Sequence, residues 1–502
     1  MRAVERLTPA EERFERVRRR VGWVLAPIAF ISILLIPLGA LSTEAHRLAA
    51  IMATVMVLWI TEALPLPVTA LLGATAAVVL RVAPAREVFA PFADPLMFLF
   101  IGAFILARGI FIHDLHRRFA FSVLSLKWVG ARPSRILFLF GAATAFASAW
   151  ISNTATTAMM FAIGMSILAF LYEKHPETGG AALDPRFATG LMLMTSFAAS
   201  IGGLATPIGT PPNIIGLSYI RNLLGVEFAF FKWTLIGAPL VIALYAFLFV
   251  YMNALSPAGM RELPGSAEML AHEKARLGPW TRAQRSTFIA FMITVALWVI
   301  PGLVAIAAGE SSAAYRAINS SLPEAVAALI GAGLLFILPG DPGQRAITWE
   351  EAVKIDWGVV LLYGGGFALG VLAFNTGLAE AIGRGLTALL PVSGSLGMLI
   401  AATAVAAITS EATSNTASAN MVVPVVIATA KALGLDPLEP ALGATFGASL
   451  GFMLPVSTPC NAIVYGSGYI PLSRMVRYGI ILDIAGVIVI VVLVRVLAPV
   501  LR

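Results

Sequence analysis

Two Ser-Asn-Thr triplets carry most of the chemistry this 502-residue sequence can offer: Ser152-Asn153-Thr154 and Ser414-Asn415-Thr416, each at the centre of a long apolar run. Their hydroxyl and amide oxygens can ligate a hard cation, and the Asn NH2 and the hydroxyl protons can donate to an anion. The same triplet is a good helix N-cap. Each is followed by a matched segment, 199–213 and 448–461, that aligns with its partner with one residue of gap. A purely structural role would have Ser, Asn and Thr capping a helix and Gly and Pro kinking one. For one copy alone that role is as good as a binding role. Two motifs repeated in the same order favour binding.

The composition says what solvent these motifs sit in. Hydrophobic residues make up 59% of the chain and charged ones only 12%, with mean hydropathy +0.88. About a quarter of a soluble domain is charged, so lipid is the solvent for much of this surface. Irregular backbone at membrane depth is tolerated only where protein or a water-filled cavity satisfies it. Pro207, Pro211 and Pro212 cannot continue a helix, and Gly202, Gly203 and Gly209 weaken one. The run 187–220 is therefore expected to unwind in its middle, freeing carbonyls for a cation. The half-helix beyond Asn213 would present N–H groups to an anion.

Hydropathy places spans at 21–41, 46–64, 68–82, 95–111, 230–252, 288–308, 322–338, 357–374 and 480–500. The runs 136–171 and 389–433 carry polar residues at their middles and read as re-entrant hairpins. The runs 187–220 and 438–469 are broken by Gly, Pro and Ser. The fold class is thus an all-α polytopic membrane protein of about eleven transmembrane helices plus two hairpins, in an inverted repeat. Residues 1–20 form an N-terminal arm, 21–255 the first repeat, 256–286 a linker and 287–502 the second repeat. The basic segments 1–20, 114–135, 256–286 and 340–356 fall on one side. The net charge of +7 then reports topology rather than nucleic-acid binding. The N-terminus is placed in the cytoplasm and the C-terminus outside. Residues 1–20 mix Arg with Glu and do not read as a signal peptide. The segment 114–135 reads equally as an amphipathic surface helix or as a charged loop.

These motifs resemble the divalent-anion:sodium symporter family, which includes sodium-coupled dicarboxylate, citrate and sulfate carriers, and the resemblance spans nearly the whole chain. It implies hairpin tips at Ser152–Thr154 and Ser414–Thr416 and unwound helices at 206–213 and 455–461. It implies two sodium sites, one from Ser148, Ser152, Asn153 and Gly209, the other from Ser410, Thr413, Asn415 and Ser457. Substrate carboxylates would meet Ser152, Asn153, Thr154, Ser414, Asn415 and Thr416, with Thr210, Pro211, Thr458 and Pro459 shaping the pocket. Cys460 stands where the first half has Pro212. The resemblance further implies an inner-membrane homodimer with elevator-type motion of a transport domain against a scaffold. The expected activity is sodium-coupled symport of succinate, malate or fumarate. Dicarboxylate exchange and sodium-sulfate symport are the alternatives, and an anion channel is a rival of another class.

Glu411 lies deep in an apolar run, a functional position by default; it could bind a proton, tune the second cation site, or simply be capped by backbone N–H groups. Arg108 and Lys431 read as snorkelling helix ends. His113, Asp114 and His116 have weak metal-ligand flavour. There is neither a His-Glu-x-x-His motif nor a nucleotide-binding Gly-rich loop, so nothing points to a protease or an ATP-driven pump, and the chain is not expected to be an enzyme.

Overall fold

The computed structural model describes residues 9–39, 41–173, 184–263, 265–309, 311–389 and 394–499. The first part of the N-terminal arm (1–8), the opening of the second expected hairpin (390–393) and the chain end (500–502) lie outside the described residues.

Regular structure among the described residues is helical throughout. Among the described residues nine helices are long and apolar enough to cross a membrane, and ten if the bent pair Ala313–Ser321 and Glu324–Ile337 is one span. The difference from the expected eleven has local causes. The span placed at 21–41 is the end of Pro9–Leu35, whose first turns are charged. The span placed at 68–82 is Leu66–Val79, only 14 residues long. The span placed at 322–338 is bent by 55° at its start, where Pro323 stands between the two helices. Two of the nine, Asn153–Tyr172 and Gly394–Ala412, are arms of the expected hairpins, and the expected span in 438–469 is only the 10-residue Leu438–Gly447 before the backbone turns irregular.

The basic segment 114–135 is half helix and half loop: Leu115–Leu124 is helical, and turns follow as far as Arg132. It docks on the linker. Arg118 donates to the carbonyls of Leu277 (2.9 Å) and Gly278 (3.0 Å), and Ser125 Oγ donates to Leu270 O (3.1 Å). Both basic segments therefore occupy one face of the molecule. The linker itself contains the helix Ser266–Arg276.

The centre is built twice from the same parts. Helices Pro133–Ser148 and Asn153–Glu173 are joined by residues 149–152 alone, and Gly394–Ala412 and Asn415–Ala432 by residues 413–414 alone. The first arm of each pair packs on the helix that follows the pair, Pro185–Gly202 and Leu438–Gly447 respectively. Both of those helices break. Pro185–Gly202 passes through a 3-10 turn, Gly203–Ala205, and an irregular stretch before Pro211–Tyr219; Leu438–Gly447 gives way to irregular backbone before Pro459–Tyr465. The halves then cross over. Asn153–Glu173 of the first pair packs on Pro459–Tyr465, and Asn415–Ala432 of the second on Pro211–Tyr219. Residues 187–204 are all buried by protein.

Between this centre and the remaining helices runs Trp357–Asn375, which packs on Leu66–Val79 and on Asn415–Ala432. Helices in lipid associate by close packing rather than by a hydrophobic drive, so small residues mark the interfaces. A Cβ at Gly365 would stand 2.9 Å from Ala70 backbone, and one at Gly366 would meet the Asn420 amide. The end of the first broken helix is tied to the same layer. Arg221 pairs with Asp94 at 2.6 Å, and Tyr363 OH donates to the other Asp94 oxygen at 3.0 Å.

Candidate functional site

The two Ser-Asn-Thr triplets stand at the turns between the paired helices, and each Ser acts as the cap. Ser152 Oγ accepts from Ala155 N (3.4 Å) and Ser414 Oγ from Ala417 N (3.2 Å). Capping thus accounts for the Ser and leaves the Asn free for other work. Each Asn side chain turns back onto the end of the preceding arm. Ser148 Oγ donates to Asn153 Oδ1 at 2.7 Å, and Ser410 Oγ donates to Asn415 Oδ1 at 2.8 Å.

The broken helices bring carbonyls to these pairs. In one orientation the Asn153 amide oxygen faces only other oxygens; in the other, its nitrogen donates to Ala199 O (3.1 Å), Gly209 O (3.2 Å) and Ser148 Oγ (2.7 Å). Three oxygens, from Ser148, Ala199 and Gly209, therefore surround the Asn153 amide. A hard cation is satisfied by such an oxygen cluster. In the second half, Ser410 Oγ also lies 2.8 Å from Ala448 O, and Asn415 Nδ2 lies 3.5 Å from Ser449 O. Sequence reasoning missed Ala199, Ala448 and Ser449, because they contribute backbone carbonyls and any residue type would serve.

Close approach is what makes the first cluster possible. A Cβ at Gly203 would overlap the Asn153 amide, and one at Gly209 would overlap Gly203 O. The second half is roomier: a Cβ at Gly451 would lie 3.4 Å from Asn415 Oδ1, an ordinary contact. Each loop is closed by its second Asn. Asn213 Nδ2 donates to Gly203 O (2.9 Å) and Thr206 O (2.8 Å), and Asn461 Nδ2 donates to Gly451 O and Leu454 O, both at 2.9 Å. The spacings from each Asn to its acceptors are identical, so within the loops Gly203 matches Gly451 without the gap expected from sequence. Asn213 and Asn461 thus turn back on their own loops and do not open a helix. The short helices begin at Pro211 and Pro459.

The other expected residues divide. Thr154 and Pro459 are exposed and Pro211 is partly so, while Thr416, Thr210 and Thr458 are buried. Thr458 caps its helix by accepting from Asn461 N at 3.1 Å, whereas Thr210 makes no such bond. Thr413 Oγ1 donates to Thr409 O (3.0 Å), and Ser457 Oγ donates to Glu411, so neither hydroxyl is bonded to the Ser410–Asn415 pair. Glu411 also accepts from Met453 N at 2.8 Å, the backbone cap that was one of the expected readings. Cys460 is buried where the halves cross, among Thr154, Thr157, Ser200 and Thr458. Ser196 Oγ makes a second crossing bond, to Asn461 Oδ1 at 2.6 Å. His113 and His116 turn to backbone carbonyls, Ala346 O (2.6 Å) and Ile110 O (3.2 Å). Among the described residues no three His, Cys, Asp or Glu side chains group as a metal site.

Paired helices with polar turns, broken helices beside them and a duplicated plan define a multi-pass membrane transporter, not an enzyme. The chain belongs to the sodium:sulfate symporter transmembrane-region family, whose profile it matches over residues 18–501. It is 33% identical over 495 residues to the sodium-dependent dicarboxylate transporter SdcS of Staphylococcus saprophyticus, covering 97% of this chain and 93% of that one. Its identity to SdcS of Staphylococcus aureus strain USA300 is 31% over 485 residues, covering 96% and 91%. Two solved transporters share the fold at low identity. The Alcanivorax borkumensis YdaH transporter has a TM-score of 0.51 at 13% identity, over 81% of this chain and 85% of that one. Neisseria gonorrhoeae MtrF has a TM-score of 0.54 at 15% identity, over 84% and 85%.

Proposed function

We propose that this protein is a sodium-coupled symporter of C4-dicarboxylates such as succinate, malate and fumarate, working in the cell inner membrane. The observation that carries the reading is the set of oxygens from Ser148, Ala199 and Gly209 gathered around the Asn153 amide, with its counterpart of Ser410, Ala448 and Ser449 oxygens near Asn415. A dianion at membrane depth needs compensating charge, since a bare one is expensive there. Neither Ser-Asn-Thr neighbourhood contains Lys or Arg. Two bound sodium ions supply the charge, and neutral oxygens are suitable ligands for them. The Asn and Thr donors of the two triplets would then take one substrate carboxylate each. The SdcS relatives, named as sodium-dependent dicarboxylate transporters, support this substrate over sulfate.

In this reading the sodium ligands are Ser148, Ser152, Asn153 and Gly209 in one half and Ser410, Thr413, Asn415 and Ser457 in the other, joined by the nearby carbonyls. The substrate meets Ser152, Asn153, Thr154, Ser414, Asn415 and Thr416, between Thr210-Pro211 and Thr458-Pro459. The repeats 21–255 and 287–502 are inverted, with the linker 256–286 and the N-terminus in the cytoplasm and the C-terminus outside. The paired helices are re-entrant hairpins that move with the broken helices, as an elevator, against the remaining helices of a homodimer.

The test is uptake of labelled succinate into proteoliposomes. Uptake should require sodium, saturate, and show counterflow. Uptake that is unchanged when choline replaces sodium would overturn coupling and leave dicarboxylate exchange. Strong competition by sulfate with none by malate would make this a sulfate carrier. Non-saturating flux without counterflow would make it a channel.

A further inference from the structure

The two Asn residues that close the broken helices do the same work with unequal support. An Asn amide has an acceptor end and a donor end of nearly the same shape, so its partners decide which way it lies. Both Asn213 and Asn461 turn Nδ2 onto two carbonyls of their own loops. Both are fully buried, so each Oδ1 needs a donor from protein. Asn461 Oδ1 has one: Ser196 Oγ donates to it at 2.6 Å. Asn213 Oδ1 has none. The helix packed on Pro211–Tyr219 is Leu438–Gly447, and its Thr445 lies close enough that a Cβ at Gly216 would overlap it. Thr445 Oγ1 nevertheless donates to Ala441 O in its own helix, at 2.7 Å.

The unequal support matches unequal packing. The first loop is held by contact, since Gly203 and Gly209 have no room for a side chain. The second loop has room at Gly451, beside Asn415 Oδ1, and there a hydrogen bond does the holding. That bond comes from the other half of the chain. Ser196 is itself fully buried on Pro185–Gly202, and the next residue, Phe197, packs edge-on against Phe452 in the second loop. Three residues after Ser196 comes Ala199, whose carbonyl serves the Asn153 amide. One helix thus carries an oxygen of the first cluster and the tether of the second loop.

We infer that Ser196 is a positioning residue for the second-half site: acting through Asn461, its hydroxyl holds the 451–458 loop in the form that takes sodium and makes sodium loading of the two halves cooperative. Without the hydroxyl, Asn461 Oδ1 is a buried acceptor with no donor, and the amide no longer has a single preferred orientation. Sodium must then order the loop as it binds, so affinity falls by the fraction of molecules that hold the loop ready. Two sites tied through one helix favour each other reciprocally. The inference rests on the sodium-coupled reading above, and the experiment separates the two claims.

Succinate uptake by the full-length protein in proteoliposomes is measured across a sodium series, with choline keeping ionic strength constant. Wild type should respond sigmoidally to sodium. Ser196→Ala should raise half-saturating sodium about tenfold, as expected if about a tenth of the molecules keep the loop ready. Its response should become less sigmoidal, while the rate at saturating sodium stays close to wild type. Ser196→Cys keeps the shape and a weak donor, so it should shift less, and it supplies the reading if the Ala variant does not fold. Thr195→Val is the control: Thr195 is the neighbouring buried hydroxyl, but it bonds Leu191 O in its own helix, so sodium dependence should stay normal. Unchanged half-saturating sodium in Ser196→Ala, or in Ser196→Cys where the Ala variant does not fold, would overturn the inference. So would a lower maximal rate with unchanged sodium dependence, which is a structural role only, or an equal shift in Thr195→Val. A wild type indifferent to sodium would overturn the coupled reading and this inference with it.

Discussion

The two halves build one backbone device and finish it with different chemistry. In both, a Ser-capped turn sends an Asn back to a Ser five residues earlier, and a second Asn staples the broken helix to its own carbonyls. The first half closes with neutral groups packed so tightly that Gly203 and Gly209 have no room for a side chain. The second has room at Gly451 but encloses Glu411 and Asp483. Duplication therefore preserved the hydrogen-bond pattern, which fixes where carbonyls point, while packing and buried side chains drifted apart. If both clusters bind cations as proposed, they need not do so with the same strength.

The sharpest way to break the comparison is to remove the shared element. Asn153→Ala and Asn415→Ala should each abolish transport in a folded protein. Linked binding makes sodium and succinate affinity fall together, with coupling of about 1–3 kcal/mol. Sodium-dependent succinate binding measured beside Tm checks this; normal binding in either well-folded variant would reduce that Asn to a structural role.

Glycine substitution should then separate the halves. Gly203→Ala drives a methyl into the Asn153 amide and should lose most sodium-dependent transport, whereas Gly451→Ala meets only ordinary contacts and should keep most of it. Equal losses in uptake assays would show that the looser packing of the second half has no functional meaning.

Smaller effects follow at the caps of the short helices. Thr458→Val removes a cap bond that Thr210→Val does not, so its Tm should fall further, by an amount matching about 1 kcal/mol. Smallest are the turn caps. Ser152→Ala and Ser414→Ala should each cost roughly 0.5–1 kcal/mol of stability, with the longer Ser152 bond (3.4 Å against 3.2 Å) costing less. Thermal melts of the four variants in one detergent rank them.

Much of this was legible in the chain itself. Low charge and long apolar runs dictate helices in lipid, because only there can each backbone group be satisfied within its own segment. Pro and Gly at 202–212 dictate the break, and the repeated triplets locate the turns. Local rules decide all of these, so sequence alone suffices. It also carried an unread signal: Asp483 is an acid inside an apolar run.

Tertiary structure decided what depends on partners distant in the chain. Only packing shows that Glu411 faces Asp483 and that the carbonyls of Ala199 and Ala448 complete the Asn clusters. Only packing crosses the halves, so that Cys460 of one meets Thr154 of the other. A carbonyl has no residue type and an acid pair has no spacing, so neither leaves a pattern to read. Where they point is set by how helices far apart in sequence come to lie together.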